Sequence, residues 1–197
     1  MMPRWRKPSV PLRLLSRIVT STQPDKQIDV AFPPLESDKT RVLVLGSMPS
    51  QKSLELQQYY GHPQNAFWKI MATLTGVAHD ADYQQRTLAL MNKGVSVWDT
   101  IASCHRPGSM DADIDTRTVS VNDFCGFFER HPTLQIVLFN GQASAKTFQK
   151  HLGKTFLYER GLESSVMPST SPAYAAMSLA LKEEIWLRAL RILDREE

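Results

Sequence analysis

The sequence predicts an α/β protein: a three-layer α/β/α sandwich around a short, mainly parallel, four-stranded central sheet. Short apolar runs alternate along the chain with segments of helical periodicity, which is the order that builds parallel β-α-β units. Each apolar run also ends in a polar loop, and the loops that follow parallel strands meet at one edge of the sheet. The predicted strands are Val42–Leu45, Val95–Trp98, Leu134–Phe139 and Ser165–Met167.

Helices are predicted wherever apolar residues recur at a spacing of three or four. The last helix is expected to bury Leu179, Ile185, Trp186, Leu190 and Leu193. Between the second strand and the fourth helix, residues 103–119 contain alternating aspartates and are predicted to form a solvated loop. The predicted helices are Ser50–Gln58, Ala66–Leu74, Tyr83–Asn92, a helix from Val121 or Asn122 to His131, Gln142–Leu152 and Tyr174–Leu193.

Length and composition indicate one domain, residues 26–197, that follows a basic extension, residues 1–25. The extension is a DNA-contacting arm, a targeting peptide or a tail without a role, and its composition does not decide among these. The formal charge of +3 permits a nucleic-acid partner without requiring one. Cys104 and Cys125 lack the spacing of a metal-cluster motif, so we expect buried, inert thiols and no metal or other cofactor. No apolar run is long enough to cross a membrane.

The polar residues that follow the predicted strands are Ser47–Ser50, Asp99, Asn140 and Ser169–Ala173. Since parallel pairing places these loops side by side, we expect one crevice at that edge of the sheet. The turn that contains Ser47, Met48 and Ser50 offers backbone N–H groups and hydroxyls, which suit a base edge or a phosphate. Asn140 offers an amide donor beside an amide acceptor, which matches the lactam edge of hypoxanthine or uracil. The alternative for Asn140 is an Asn-Gly turn without a binding role.

Ordered motifs give the chain a family resemblance. Gly46–Ser50 reads G-S-M-P-S, and Tyr59–Trp68 reads Y-Y-G-H-P-Q-N-A-F-W. These motifs, with Gly94–Asp99, Phe139–Gly141 and Pro168–Ala173, resemble the uracil-DNA glycosylase superfamily, most closely its hypoxanthine-DNA glycosylase branch, also called family six. The resemblance extends from about Ile28 to the last helix.

The resemblance implies roles for particular side chains. Tyr60 corresponds to the aromatic residue that stacks on the extruded base. Met48 stands where relatives carry a catalytic asparagine or aspartate, so Asn65 is expected to position the attacking water instead. Asn65 is also suited to cap the following helix. His62 is an alternative contributor that would help the leaving group.

The segment from Pro168 to Tyr174 corresponds to the loop that enters the DNA minor groove. We expect DNA contacts from Ser169, Thr170, Ser171, Pro172 and Ala173, and from Ser50 in the first turn. Ala173 replaces an intercalating leucine, which predicts a weak wedge. Tyr174 either supplies the missing bulk or begins the last helix.

Together these features predict a monofunctional, metal-free DNA glycosylase that excises deaminated bases, chiefly hypoxanthine, and leaves an abasic site. The expected partner is DNA that contains deaminated bases, and the expected state is a cytoplasmic monomer that is nucleoid-associated when on DNA. A uracil or mismatch glycosylase is one alternative. A DNA-binding member without catalytic activity is the other.

Overall fold

A computed structural model describes residues 27–194 of the chain. The predicted basic extension, residues 1–25, lies outside these residues. The strands are β1 Ile28–Val30, β2 Val42–Gly46, β3 Val95–Asp99, β4 Ile101–His105, β5 Ser120–Val121, β6 Ile136–Asn140 and β7 Glu163–Met167. The helices are α1 Gln51–Leu56, α2 Phe67–Thr75, α3 Tyr83–Asn92, α4 Phe124–Arg130, α5 Gln142–Leu152 and α6 Leu179–Leu190, with short 3₁₀ helices at Asp111–Asp113, Tyr158–Arg160 and Arg191–Asp194.

The central sheet has the strand order β3-β2-β6-β7, and every neighbouring pair is parallel. Strand β2 lies in its interior and is fully buried, which explains its continuous apolar run. The predicted four-stranded parallel sheet is therefore confirmed. Its register places Gly46 beside Asp99, and Asn140 beside Met167. The carboxyl ends of all four strands thus share one edge.

Helices cover both faces of this sheet, as predicted. The chain crosses the sheet in one direction from β2 to β3 and in the opposite direction from β3 to β6 and β7. Because crossovers between parallel strands are right-handed, α2 and α3 lie on one face and α4 and α5 lie on the other. Helix α6 joins α2, where Trp186 meets the ring of Phe67 edge-on at 6.4 Å. On the opposite face, Phe124 of α4 meets Phe148 of α5 at 4.9 Å. Within residues 27–194, no helix has the length and apolar character needed to cross a bilayer.

A second, antiparallel sheet, β1-β4-β5, was not predicted. Strand β4 overlaps the segment that the sequence assigned to a loop, residues 103–119. Ile101 and Cys104 are its buried positions, whereas Ala102 and Ser103 between them are small and half-buried. This pattern is weak when taken alone, because the pairing partner β1 lies more than 70 residues away along the chain.

Three smaller predictions were wrong. Helix α6 begins at Leu179 rather than Tyr174, because the Ser178 hydroxyl accepts a hydrogen bond from the Leu181 N–H and caps the helix there. As the first residue of the helix, Leu179 is 43% exposed and does not join the core. Cys125 is exposed, whereas Cys104 is buried as expected.

Candidate functional site

A narrow cavity of about 110 Å³ opens at the carboxyl edge of the parallel sheet. It is much smaller than the pockets of about 300–1,000 Å³ that enclose drug-sized ligands, so its scale suits a small planar group. The predicted site residues that line it are Ser47, Met48, Ser50, Tyr60, Asn65, Asn140, Ser169, Thr170 and Ser171. Pro172 instead lines an adjoining groove with Tyr174, and Ala173 between them is exposed. His62 lines a different neighbouring groove.

The turn after β2 is fixed by backbone hydrogen bonds from the neighbouring strand. The Thr100 and Ile101 N–H groups donate to the carbonyls of Gly46 and Ser47, at 2.8 and 3.0 Å. The Ser47 hydroxyl donates to Asp111 Oδ1 at 2.5 Å, so it faces the aspartate loop. Ser50 caps α1, since its hydroxyl accepts a hydrogen bond from the Ser53 N–H at 3.2 Å.

Met48 forms an apolar part of the cavity wall. It is 7% exposed and packs with Ile101 and Cys104 in a small core beneath the antiparallel sheet. A thioether in this setting offers no strong hydrogen bond to water. The first turn therefore provides shape, and the polar chemistry of the cavity comes from other segments.

Tyr60 places a buried hydroxyl inside the cavity. Its backbone is left-handed, with φ of 53°, and its ring stacks on Phe67 with the ring centres 4.0 Å apart. Burial raises the pKa of this phenol, Asp99 adds to the rise and Asn140 opposes it. Among residues 27–194, no group meets the geometry of a hydrogen bond to the Tyr60 hydroxyl. The neighbouring Tyr59 is a core residue.

Asn65 begins the segment that leads into α2. Its Oδ1 accepts a hydrogen bond from the Phe67 N–H at 3.0 Å, but the N-cap of α2 is Ala66, so Asn65 supports the first helical residue from one position before the cap. Its own N–H donates to the His62 carbonyl at 2.8 Å. The carboxamide is therefore held in place, while Oδ1 retains a second lone pair for another donor.

Asn140 is fixed by Thr170, a neighbour that the sequence did not identify as its partner. Asn140 Nδ2 donates to Thr170 Oγ1 at 2.8 Å, and Asn140 Oδ1 accepts from the Thr170 N–H at 2.9 Å. These two bonds set the amide orientation and leave one N–H and one lone pair for a ligand. The Thr170 residue is 1% exposed and its hydroxyl accepts from Asn140, while its DNA contact stays a prediction.

Thr170 also joins the two amide segments. Its carbonyl accepts a hydrogen bond from the Ala66 N–H at 2.9 Å. One residue thus connects the segment of Asn65 to the segment of Asn140, and both asparagines line the same cavity.

Helix α6 holds the loop Pro168–Tyr174 at both ends. Trp186 Nε1 donates to the Pro168 carbonyl at 2.9 Å, and Lys182 Nζ donates to the Tyr174 carbonyl at 2.7 Å. Between these anchors, Pro172 and Ala173 are exposed. Tyr174 is 38% exposed and precedes the helix, so it does not begin α6. The sequence missed the two anchors because Trp186 and Lys182 fit the pattern of an ordinary amphipathic helix.

Asp99 is the cavity residue to which the sequence gave a position but no function. It ends β3 and is 3% exposed. Burial raises the pKa of its carboxyl group to about 8; Arg106 opposes the rise and Asp111 adds to it. The sequence feature that could have identified Asp99 as a functional residue is its position at the end of a buried strand.

The comparisons with known proteins agree with this architecture. Residues 33–191 match the family model described as the uracil DNA glycosylase superfamily. A hypoxanthine DNA glycosylase of Methanosarcina acetivorans is 34% identical over 143 residues, 72% of this chain and 85% of the relative. One from Methanosarcina barkeri is 32% identical over 161 residues, 81% of this chain and 96% of the relative. A solution NMR structure from M. acetivorans, provisionally assigned as a uracil DNA glycosylase, superposes with a TM-score of 0.72 at 32% identity and covers 86% of this chain and 100% of its own.

Proposed function

The chain belongs to the uracil DNA glycosylase superfamily, and we propose that it is a monofunctional DNA glycosylase that excises hypoxanthine and leaves an abasic site. The observation that carries the proposal is the cavity in which Thr170 links the segments of Asn65 and Asn140. The names of the two Methanosarcina relatives support hypoxanthine as the substrate.

The target base must leave the duplex, because stacking and pairing bury its glycosidic bond. In the proposed complex, the free N–H of Asn140 donates to O6 of hypoxanthine and its free lone pair accepts from N1–H. Because the Thr170 N–H can only donate, a flip to the opposite orientation would set the amide N–H₂ group against it and break that hydrogen bond. Adenine presents the reverse donor and acceptor pattern, so it is disfavoured by about 1–3 kcal/mol for each mismatched buried group.

Asn65 is proposed to position the attacking water. A neutral amide is not a general base, but its second lone pair can accept a hydrogen bond from water and direct the oxygen toward C1′ of the sugar. The bond from C1′ to the base breaks as the sugar becomes cation-like, the water oxygen bonds to C1′, and a water proton passes to solvent. The hydrogen bond from Phe67 N–H restrains Asn65 for this task.

The lining of the cavity favours hydrolysis over strand cleavage. Within the described residues, its lining contains no lysine that could form a Schiff base with the sugar. Met48 cannot hold a water, which favours hypoxanthine over the uracil chemistry that depends on a polar residue at that position. The product is therefore an intact strand that carries an abasic site.

An excision assay tests this function. Duplexes that hold a single hypoxanthine, uracil, xanthine or undamaged base are incubated with the protein under single-turnover conditions and then treated with alkali. We expect alkali-dependent cleavage at hypoxanthine. Release of uracil alone would show that uracil, rather than hypoxanthine, is the substrate. Tight binding without product would support a DNA-binding module.

Asn65→Ala tests the mechanism in the same assay. We expect hypoxanthine release to slow by about 10²–10³-fold, the usual cost of losing one positioned polar group. Asn65→Ser retains a side-chain acceptor for the Phe67 N–H and so separates catalysis from stability: its melting temperature should stay near wild type while its activity falls. Asn92→Ala, at an exposed position of α3, is the matched control. An Asn65→Ala rate within about threefold of wild type would contradict the assigned role.

A further inference from the structure

Asp99 forms the buried end of the cavity. Its Oδ2 is inaccessible to solvent, and no hydrogen-bond partner for it exists among residues 27–194. The facing wall is Gly46, at which a Cβ atom would collide with Asp99 Oδ1. Burying a carboxyl group without a hydrogen-bond partner costs free energy unless a ligand supplies the missing hydrogen bond. Such a group at a ligand cavity therefore indicates a functional role.

Burial keeps Asp99 a neutral acid around pH 7, and five titratable groups interact with it there. They are the phenols of Tyr59, Tyr60 and Tyr83, the guanidinium of Arg106 and the carboxyl group of Asp111. The phenols are uncharged at this pH, and Arg106 only partly offsets burial, which leaves the carboxyl pKa at about 8. A protonated carboxyl group can donate a hydrogen bond or a proton, whereas a carboxylate only accepts.

Asp99 and Asn140 lie on opposite sides of the same strand. Strand β3 ends with Asp99, β6 ends with Asn140, and β2 separates them. Two interstrand spacings place the two backbones about 9–10 Å apart, so side chains that converge from these positions can contact two edges of one bicyclic base. In hypoxanthine, N1 and O6 form one edge, and N7 lies on the imidazole ring beside O6.

We propose that Asp99 is the general acid that protonates N7 of the departing hypoxanthine. This inference rests on the proposed function above. As the C1′–N9 bond breaks, its electron pair moves to N9 and the Asp99 proton moves to N7, so the base leaves as neutral hypoxanthine. Asp99 is left as a carboxylate, the water oxygen bonds to C1′, and the proton lost from that water restores the acid through solvent.

This role accounts for purine selectivity at a site whose first turn carries methionine. Uracil has no imidazole ring and no N7, so it cannot accept this proton. A general acid contributes about 10²–10⁴-fold to a rate. Hypoxanthine would gain that factor from Asp99, whereas uracil would have neither this acid nor a polar residue at Met48.

The test is a two-by-two comparison of single-turnover rates. Wild type and Asp99→Asn are each assayed on duplexes that contain hypoxanthine or 7-deazahypoxanthine, which has carbon in place of N7. We expect Asp99→Asn to slow hypoxanthine release by about 10²-fold or more and to leave the slow release of the 7-deaza base within about threefold of wild type. A substitution that merely distorts the cavity would slow both substrates alike, and that result would overturn the inference.

The outcomes distinguish this inference from the function on which it rests. Equal rates of hypoxanthine release by wild type and Asp99→Asn would overturn the general acid alone. Failure of wild type to release hypoxanthine at all would overturn the proposed function and, with it, this step. If Asp99→Asn does not fold, the wild-type pH profile decides: hypoxanthine release should fall about tenfold per pH unit above about pH 8, and a flat profile to pH 9.5 would overturn the acid.

Stability against pH gives an independent check on the protonation state. The Asp99 carboxyl group ionises near pH 3.8 in the unfolded chain and near pH 8 when folded. The folded state therefore binds more protons between these values, and Asp99 makes the free energy of unfolding fall as pH rises from about 4 to about 8. Asp99→Asn should lose this component, so its stability relative to wild type should be greater at pH 8.5 than at pH 5. A pH-independent difference between the two proteins would contradict a neutral buried acid.

Discussion

The two walls of the cavity are built differently. The wall formed by Gly46–Ser50 and Asp99, together with the buried Arg106–Asp29 ion pair behind it, is here called the acidic wall, and it rests on the antiparallel sheet. The wall formed by Asn140 and Pro168–Tyr174, here called the loop wall, presents neutral amides and hydroxyls and is anchored to α6. Asp111 faces the mouth of the cavity from the acidic side, and Lys69 lines the groove beside the loop wall.

Because the two walls differ in charge, we expect them to have different roles. Phosphate is repelled by carboxylates and attracted by lysines, so the DNA strand is expected to run along the loop wall. The acidic wall is expected to lie away from that strand, and burial there raises the pKa of Asp99. Substitutions in the acidic wall should therefore affect folding and the chemical step, whereas those in the loop wall should affect DNA engagement.

The largest effect is expected from Arg106→Met in the acidic wall. The Arg106 side chain is fully buried, lies 3.6 Å from Asp29 and donates to the carbonyl of Pro49 in the first turn. Its removal leaves Asp29 as a buried charge without its cation and should lower the free energy of unfolding by about 3–5 kcal/mol. Urea denaturation followed by circular dichroism measures this change.

Two companion variants separate charge from packing in the Arg106→Met experiment. Adding Asp29→Asn to Arg106→Met should recover part of the lost stability, because the buried charge is then removed. Arg188→Met breaks an exposed pair with Glu184 and should cost less than about 1 kcal/mol. A similar loss in Arg188→Met and Arg106→Met would contradict the description of the acidic wall.

Lys182→Met should weaken the loop wall while sparing the chemical step. It keeps the length of the buried side chain but removes the hydrogen bond to the Tyr174 carbonyl. The loop then loses one of its two anchors on α6, and we expect KM for hypoxanthine duplex to rise by about tenfold with kcat changed less. Lys146→Met, at an exposed position of α5, is the matched control. A fall in kcat with unchanged KM would place Lys182 in the chemistry instead.

Local patterns in the sequence were sufficient to predict the parallel sheet and most of the helices. The bounds of α3 and α5 agree with prediction, because apolar spacing and nearby glycines mark both. The residues of the cavity were largely predictable too, since parallel strands bring their terminal loops together. Nine of the eleven residues predicted for the site line the cavity, Pro172 lines the adjoining groove, and Ala173 is exposed next to it in the chain.

The features that the sequence did not predict depend on contacts between segments that are far apart along the chain. Strand β4 needs β1 as its partner, and the clamp on Asn140 needs Thr170, which lies 30 residues further along the chain. The state of Asp99 depends on burial by several elements, and burial of a polar residue leaves no periodic signal in the sequence. Sequence patterns thus predicted which residues gather at the edge of the sheet, and the structure added how each is held.

The smallest effect, and the sharpest distinction between the two walls, is expected from Ala173→Leu. Ala173 is an exposed position of the loop wall, where a larger apolar side chain can insert between base pairs. We expect release of hypoxanthine from fully paired duplex to rise by about two- to fivefold, because insertion offsets part of the unstacking energy. Release from single-stranded DNA should not change, since no pair must be opened there. Both rates are measured under single-turnover conditions, and an equal gain on both substrates would show that Ala173 acts on the cavity rather than on the duplex.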